Sequence, residues 1–189
     1  MIVPVYGYGN AVLREVSKDI KPDYPKLNEL IANMWETLKN ADGVGLAASQ
    51  VGYSIRLFLI DAEPLSKDHK ELKGFKKAFI NAHILKQEGD LWSYNEGCLS
   101  LPSIREDVSR KPKITVKYVD ENFVIHEEIF EGIKARIFQH EYDHLAGIEF
   151  TEKIYDYKKL MSREFYIKNV RNSKTQLTAS KVTTLELTD

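Results

Sequence analysis

The chain has 189 residues, of which 43% are apolar and 29% charged, and its 27 Lys and Arg nearly balance 28 Asp and Glu to a net charge of -1. This is the composition of a globular protein rather than a disordered one, it lacks the basic excess of a general nucleic-acid binder, and its length suits one domain with a substantial core. No apolar run reaches the roughly 18 residues that would cross a bilayer.

The opening Met1-Ile2-Val3-Pro4-Val5-Tyr6 has neither the basic stretch nor the apolar core of a secretory signal. With a single cysteine, Cys98, no intramolecular disulfide can form, which fits a reducing compartment and gives the cytoplasm as the expected location.

Residues 25–40 place Leu27, Leu30, Ile31, Met34 and Leu38 at three- and four-residue spacing, the buried stripe of a helix. Ala41-Asp42-Gly43 follows as a stop, with glycine expected in the left-handed turn. Gly43-Val44-Gly45-Leu46-Ala47-Ala48-Ser49-Gln50-Val51-Gly52 is rich in small residues, but it lacks the preceding strand and third glycine of a nucleotide loop. Its glycines allow backbone to approach a ligand closely, and Gln50 offers an amide that donates or accepts.

Short strands are predicted at 55–60, 78–81, 84–88, 91–95, 114–119 and 123–130, the last two joined by a turn at Asp120-Glu121-Asn122. The polar, aperiodic stretch 61–75 reads as a mobile loop with His69 as a surface residue. Strands gathered before one long helix, without regular alternation, indicate an α+β fold of mostly antiparallel short sheets packed around a central helix. Arg105, after the cysteine segment, is expected to pair with Glu106 or a neighbouring acid.

That helix is predicted from near Glu131-Gly132 to Ala146-Gly147 and contains Gln139-His140-Glu141-Tyr142-Asp143-His144. Residues four apart share a helix face, so both imidazoles can address one point with Glu141 beside them. His-Glu-x-x-His on a helix is the pattern of metal-dependent amide hydrolases, the histidines holding the ion and the glutamate handling the proton of a water. Catalytic sites of this kind use three protein ligands and leave a position open. His83 and His126 sit in strand-like surroundings and read as core or surface residues. Glu149 or Glu152, downstream, could complete a zincin-like set. Cys98, within Glu96-Gly97-Cys98-Leu99-Ser100-Leu101-Pro102, is favoured, because its glycine neighbour admits an ion close to backbone and a thiolate binds transition metals strongly. Beyond Phe150, residues 155–169 read as a helix and 174–189 as an edge strand or frayed tail, giving one catalytic domain at 1–170 and a C-terminal tail at 171–189.

Taken together, the segment from Gly43 to Gln50, Glu96-Gly97-Cys98-Leu99-Ser100 and Gln139-His140-Glu141-Tyr142-Asp143-His144-Leu145-Ala146-Gly147 resemble, in order and separation, the three signature motifs of peptide deformylase. Members of that family remove the N-formyl group from new bacterial polypeptides. The resemblance implies that Cys98, His140 and His144 hold the metal and that Glu141 is the acid/base. It further implies that Gln50 and the Leu99 N–H bind the carbonyl oxygen, that Gly45 lies at the substrate backbone, and that Val44, Tyr94, Ile133 and Ile137 line a methionine pocket. Arg136 falls beside that pocket, and its charged head is expected to reach solvent. Ferrous iron is the implied physiological ion, with zinc, nickel or cobalt as alternatives. The implied partners are formyl-Met peptides of nascent chains and the ribosome, for a monomer with no membrane or direct nucleic-acid contact. Ser49 stands where many members have Pro or Thr, a small departure because the adjacent Gln50 makes the contact.

Overall fold

The stripe of Leu27, Leu30, Ile31, Met34 and Leu38 is the buried face of helix α1 (Leu27–Asn40) in this computed structural model, which describes residues 1–153. Its stop differs from the expectation. Asp42, not Gly43, adopts the left-handed conformation at φ 50°, which Asp tolerates. Gly43 is needed for space instead, since a Cβ there would lie 2.8 Å from Leu99 Cδ1 and 2.9 Å from Leu38 Cδ1.

After α1 come β1 (Gly45–Ala47), β2 (Leu57–Asp61), β3 (Lys76–Glu88), β4 (Trp92–Cys98), β5 (Leu101–Arg110), β6 (Lys113–Val119), β7 (Ile125–Glu131) and helix α2 (Gly132–Leu145). Five strands form an antiparallel sheet in the order β1-β2-β3-β6-β7, and β4 and β5 form a separate hairpin. The expected α+β class with antiparallel sheets is therefore observed.

Side-chain alternation explains how this sheet separates two cores. On β2, Leu57 and Leu59 pack with Leu30, Met34 and Leu38 of α1, while Phe58 and Ile60 turn to the opposite face and meet Phe138 of α2. Phe79 on β3 joins that second core, with Phe58–Phe138 and Phe79–Phe138 ring centroids each 5.1 Å apart in edge-on contact. Burial on both faces is why β2 reads as a continuous apolar run in the sequence.

Three features of the sequence reading need correction. The strands expected at 78–81 and 84–88 are one strand, β3, with register shifts between Ile80 and His83 and between Ile84 and Lys86. Asn81 sits in this irregularity at φ 50°, its side chain bonded to Ile20 N and O at 2.9 and 2.8 Å, so what looked like a break is a bulge. Both β1 and β5 escaped detection, the first for its three small residues and the second for its charged Arg105-Glu106-Asp107 run. The loop expected to be mobile is anchored. Ala62 and Leu72 within it are fully buried, and Ala62 N donates to Phe75 O at 2.9 Å. The helix expected at 155–169, the tail at 174–189 and the domain boundary after residue 170 lie outside the described residues.

Candidate metal centre

The i, i+4 spacing on α2 brings the His140 and His144 rings edge-on to each other with centroids 5.4 Å apart. Facing them is Cys98, the last residue of β4, where the β4–β5 pairing shifts register after Gly97. Its Sγ lies 3.4 Å from His144 Nε2, and the sulfur and one nitrogen of each histidine fall within 4.8 Å of one another, the one such cluster among the described residues. Burial alone would push the Cys98 thiol up, but the His144 and His140 imidazoles hold it well below its ordinary value. Both imidazoles, which burial would depress, are raised by that same sulfur. The cluster thus stabilises positive charge against an anionic sulfur, and its two nitrogens and one thiolate suit a divalent transition ion with a position left open.

A buried ionic network stands behind this face. Glu96 accepts from Arg110 Nε and Nη2 at 2.7 and 3.0 Å and from Arg136 Nη1 at 2.5 Å, and its Oε2 is 3.0 Å from His140 Nδ1. Arg110 also donates to Asp143 at 2.7 Å. Although burial works against ionisation of Glu96, hydrogen bonds from His140 and Arg110 lower its pKa to about 2. A carboxylate on the far nitrogen of a ligating histidine fixes tautomer and ring orientation. No role for Glu96 or Arg110 was read from the sequence, though Glu96 opens the cysteine motif; Arg110 carried no signal because its partners are far away in the chain.

Glu141 is only 4% exposed. Burial is the main reason its pKa rises to about 7, opposed by the neighbouring imidazoles, and a value near neutrality suits proton transfer. Its carboxylate lies against the backbone of β1, where a Cβ on Gly45 would be 2.1 Å from Oε1. Gln50 is held by Ala47 N, which donates to Oε1 at 2.8 Å. Its Nε2 consequently points at Ser100 Oγ, 3.1 Å away, and at Cys98 Sγ, 3.7 Å away.

A cavity of about 560 Å3 opens beside these groups, lined by Val44, Gly45, Tyr94, Leu99, Ile133 and Ile137 together with Gln50, Cys98, His140 and Glu141. Every site residue named from the sequence therefore lines this cavity except His144, which meets Cys98 and His140 in the cluster at its wall. Leu65, Ile104 and Arg136 also line the cavity. The Arg136 head does not reach solvent: it donates to Trp92 O at 2.7 Å and Val108 O at 2.9 Å, and lies 4.2 Å above the Trp92 ring. Glu96 neutralises its charge, which makes burial tolerable. Arg105 pairs with no acid among the described residues; it donates to Asn95 Oδ1 and O, both at 3.0 Å, and crosses Gly97, where a Cβ would meet its Nη1 at 3.1 Å. Gly97 thus makes room for an arginine rather than an ion.

The remaining ligand candidates lie elsewhere. His126 is 2.8 Å from Asp120 and stacks on Tyr118, and His83 lies near Asp19 on the surface. Glu149 is outside the cluster, its Oε2 2.6 Å from Arg14 Nη2.

Residues 2–160 match the model of the polypeptide deformylase family. The peptide deformylase of Flavobacterium johnsoniae is 54% identical over 93% of this chain and 92% of its own length. Among solved structures, a peptide deformylase from Synechococcus elongatus in complex with actinonin superposes with a TM-score of 0.76 at 34% identity, covering 88% of this chain and 85% of that one. A class I type b peptide deformylase from Acinetobacter baumannii with Met-Ala-Ser bound gives a TM-score of 0.73 at 31% identity, covering 82% and 99%.

Proposed function

This chain belongs to the polypeptide deformylase family, enzymes that remove the N-formyl group of nascent peptides and release formate, and on that premise we propose that Cys98, His140 and His144 hold its metal while Glu141 moves the protons. A single observation carries the assignment: a sulfur and two imidazole nitrogens converge within 4.8 Å beside a buried carboxylate whose pKa lies near neutrality. Bound there, a divalent ion supplies Lewis acidity toward water and the formyl oxygen.

The chain's own groups do the rest. Glu141 takes a proton from the attacking water and returns it to the departing amine. Gln50 Nε2 and the Leu99 N–H donate to the formyl oxygen as negative charge develops, and the Ala47 anchor keeps the Gln50 amide from reorienting. Val44, Tyr94, Ile133 and Ile137 receive the methionine side chain, with Gly45 along the peptide backbone. Met-Ala-Ser, bound by the Acinetobacter relative, supports reading the substrate as a peptide with Met first.

Ferrous iron is the physiological ion in this reading, with zinc, nickel and cobalt compatible with the same donors. The protein works as a cytoplasmic monomer on chains emerging from the ribosome, with residues 1–170 as the catalytic domain and 171–189 as a tail.

The deciding assay measures formate release from a formyl-Met peptide after loading with iron, nickel or zinc, in parallel with cleavage of an unformylated peptide. Formate without internal cleavage is expected. Internal cleavage without formate would return the case to a zincin-type endopeptidase.

A further inference from the structure

The two histidines of the centre are supported differently. Glu96 holds His140 Nδ1 at 3.0 Å, whereas His144 turns Nε2 toward Cys98 and leaves Nδ1 buried without a hydrogen-bond partner among the described residues. Behind it a cavity of about 10 Å3 is bordered by His144, Glu149, Ser100 and Thr151, with Leu13, Leu101 and Phe150 making the rest of its wall mostly apolar. That volume holds one water.

Glu149 is 4% exposed. Among the described residues its Oε2 has the Arg14 charge at 2.6 Å but no aligned hydrogen-bond donor, and Oε1 receives only the Gly9 N–H at 3.4 Å. Two residues that each carry a buried, unsatisfied polar atom, His144 and Glu149, therefore border the same water-sized space, and buried groups of this kind are seldom left unsatisfied.

We propose that one buried water bridges His144 Nδ1–H to the Glu149 carboxylate, making Glu149 the positioning residue for this imidazole. The proposal rests on His144 being a ligand through Nε2. The water accepts from Nδ1–H and donates to Glu149. It fixes the tautomer that leaves Nε2 free and raises the basicity of that nitrogen. Burial raises the Glu149 pKa, and the Arg14 charge 2.6 Å from Oε2 opposes that rise. The centre then has a carboxylate behind each imidazole, direct for His140 and through water for His144. The glutamate that the sequence offered as a rival ligand acts one shell further out.

The test uses the zinc-loaded protein. A high-resolution crystal structure should show one water within about 3.2 Å of both His144 Nδ1 and a Glu149 oxygen. Glu149→Leu, which removes the acceptor, should weaken zinc binding by about tenfold in chelator competition and shift the His144 Nδ1–H resonance while leaving that of His140 in place. Glu149→Gln, nearly isosteric and gentler on folding, should shift the same resonance with a smaller loss of affinity. A dry cavity overturns the proposal, as does an unchanged His144 resonance in both variants or zinc affinity within twofold for Glu149→Leu. His144→Ala separates the two levels. If it loses zinc while Glu149→Leu keeps full affinity, only the water bridge fails; if it retains stoichiometric zinc, the ligand assignment fails and the bridge with it.

Discussion

Replacing Gly45 by Ala adds one methyl group at the point where β1 meets the proposed base. The φ of Gly45 is not in the left-handed region, so the backbone accepts alanine and the perturbation is the Cβ alone. That atom would lie 2.1 Å from Glu141 Oε1, 2.5 Å from Cδ and 2.8 Å from Cγ, against about 3.4 Å for ordinary contact. The carboxyl group must therefore retreat by about 1.3 Å. A misplacement of about 1 Å at a catalytic group can cost roughly 100-fold in rate, equivalent to about 2.7 kcal/mol. Turnover of formyl-Met peptide should fall by about that factor at unchanged metal content, with an overpacking cost to stability of about 1–3 kcal/mol. The assay is formate release combined with elemental analysis, run on Gly45→Ala, Glu141→Ala and the double variant. If the methyl acts through Glu141, the double variant is little worse than Glu141→Ala. A single variant within threefold of the parent rate, or a full additional 100-fold loss in the double variant, would refute the reasoning.

Glu141→Ala by itself should retain the metal while losing several orders of magnitude in turnover, since a proton carrier is removed and a ligand is not. Cys98→Ser should instead lose metal or change its preference among iron, nickel and zinc, read by elemental analysis; unchanged stoichiometry and preference would refute Cys98 as a ligand. For the metal-free protein, the depressed pKa of Glu96, from 4.5 to about 2, means its ionised form stabilises the fold. That contribution, about 3 kcal/mol by linkage, is fully present above pH 4.5 and is lost as pH falls toward 2. In urea unfolding, the stability gap between the parent and Glu96→Gln should therefore shrink by about 1 kcal/mol between pH 6 and pH 3.5, and a constant gap would count against the ion-pair account.

Periodicity alone was enough to locate α1, because a buried stripe at helical spacing leaves its mark in the order of residues, whereas α2, buried over most of its circumference, was marked by its His-Glu-x-x-His motif between Gly132 and Gly147. The His-Glu-x-x-His spacing likewise fixed which side chains share a face, since helix geometry is local. Strand limits were less legible. β5 carries charges on its exposed face, β1 is three small residues long, and the Asn81 bulge mimics a break, so local pattern misreported pairing that is decided across the sheet.

What only the tertiary structure decided is whatever depends on segments meeting. Sequence named Arg136 as a charge that needed solvent; the fold supplied Glu96, from a strand 40 residues earlier, and the Trp92 ring in its place. Gly45 looked like a glycine for the substrate backbone, and packing shows that its missing side chain is also the space occupied by the Glu141 carboxylate. Glu149 is near the histidines in sequence, yet the cluster draws Cys98 from β4 and leaves Glu149 paired with Arg14. The residues that could carry the chemistry were therefore readable from type and spacing, because both are properties of the chain. Their burial, charge partners and mutual distances were not, because these arise only when distant segments exclude water together.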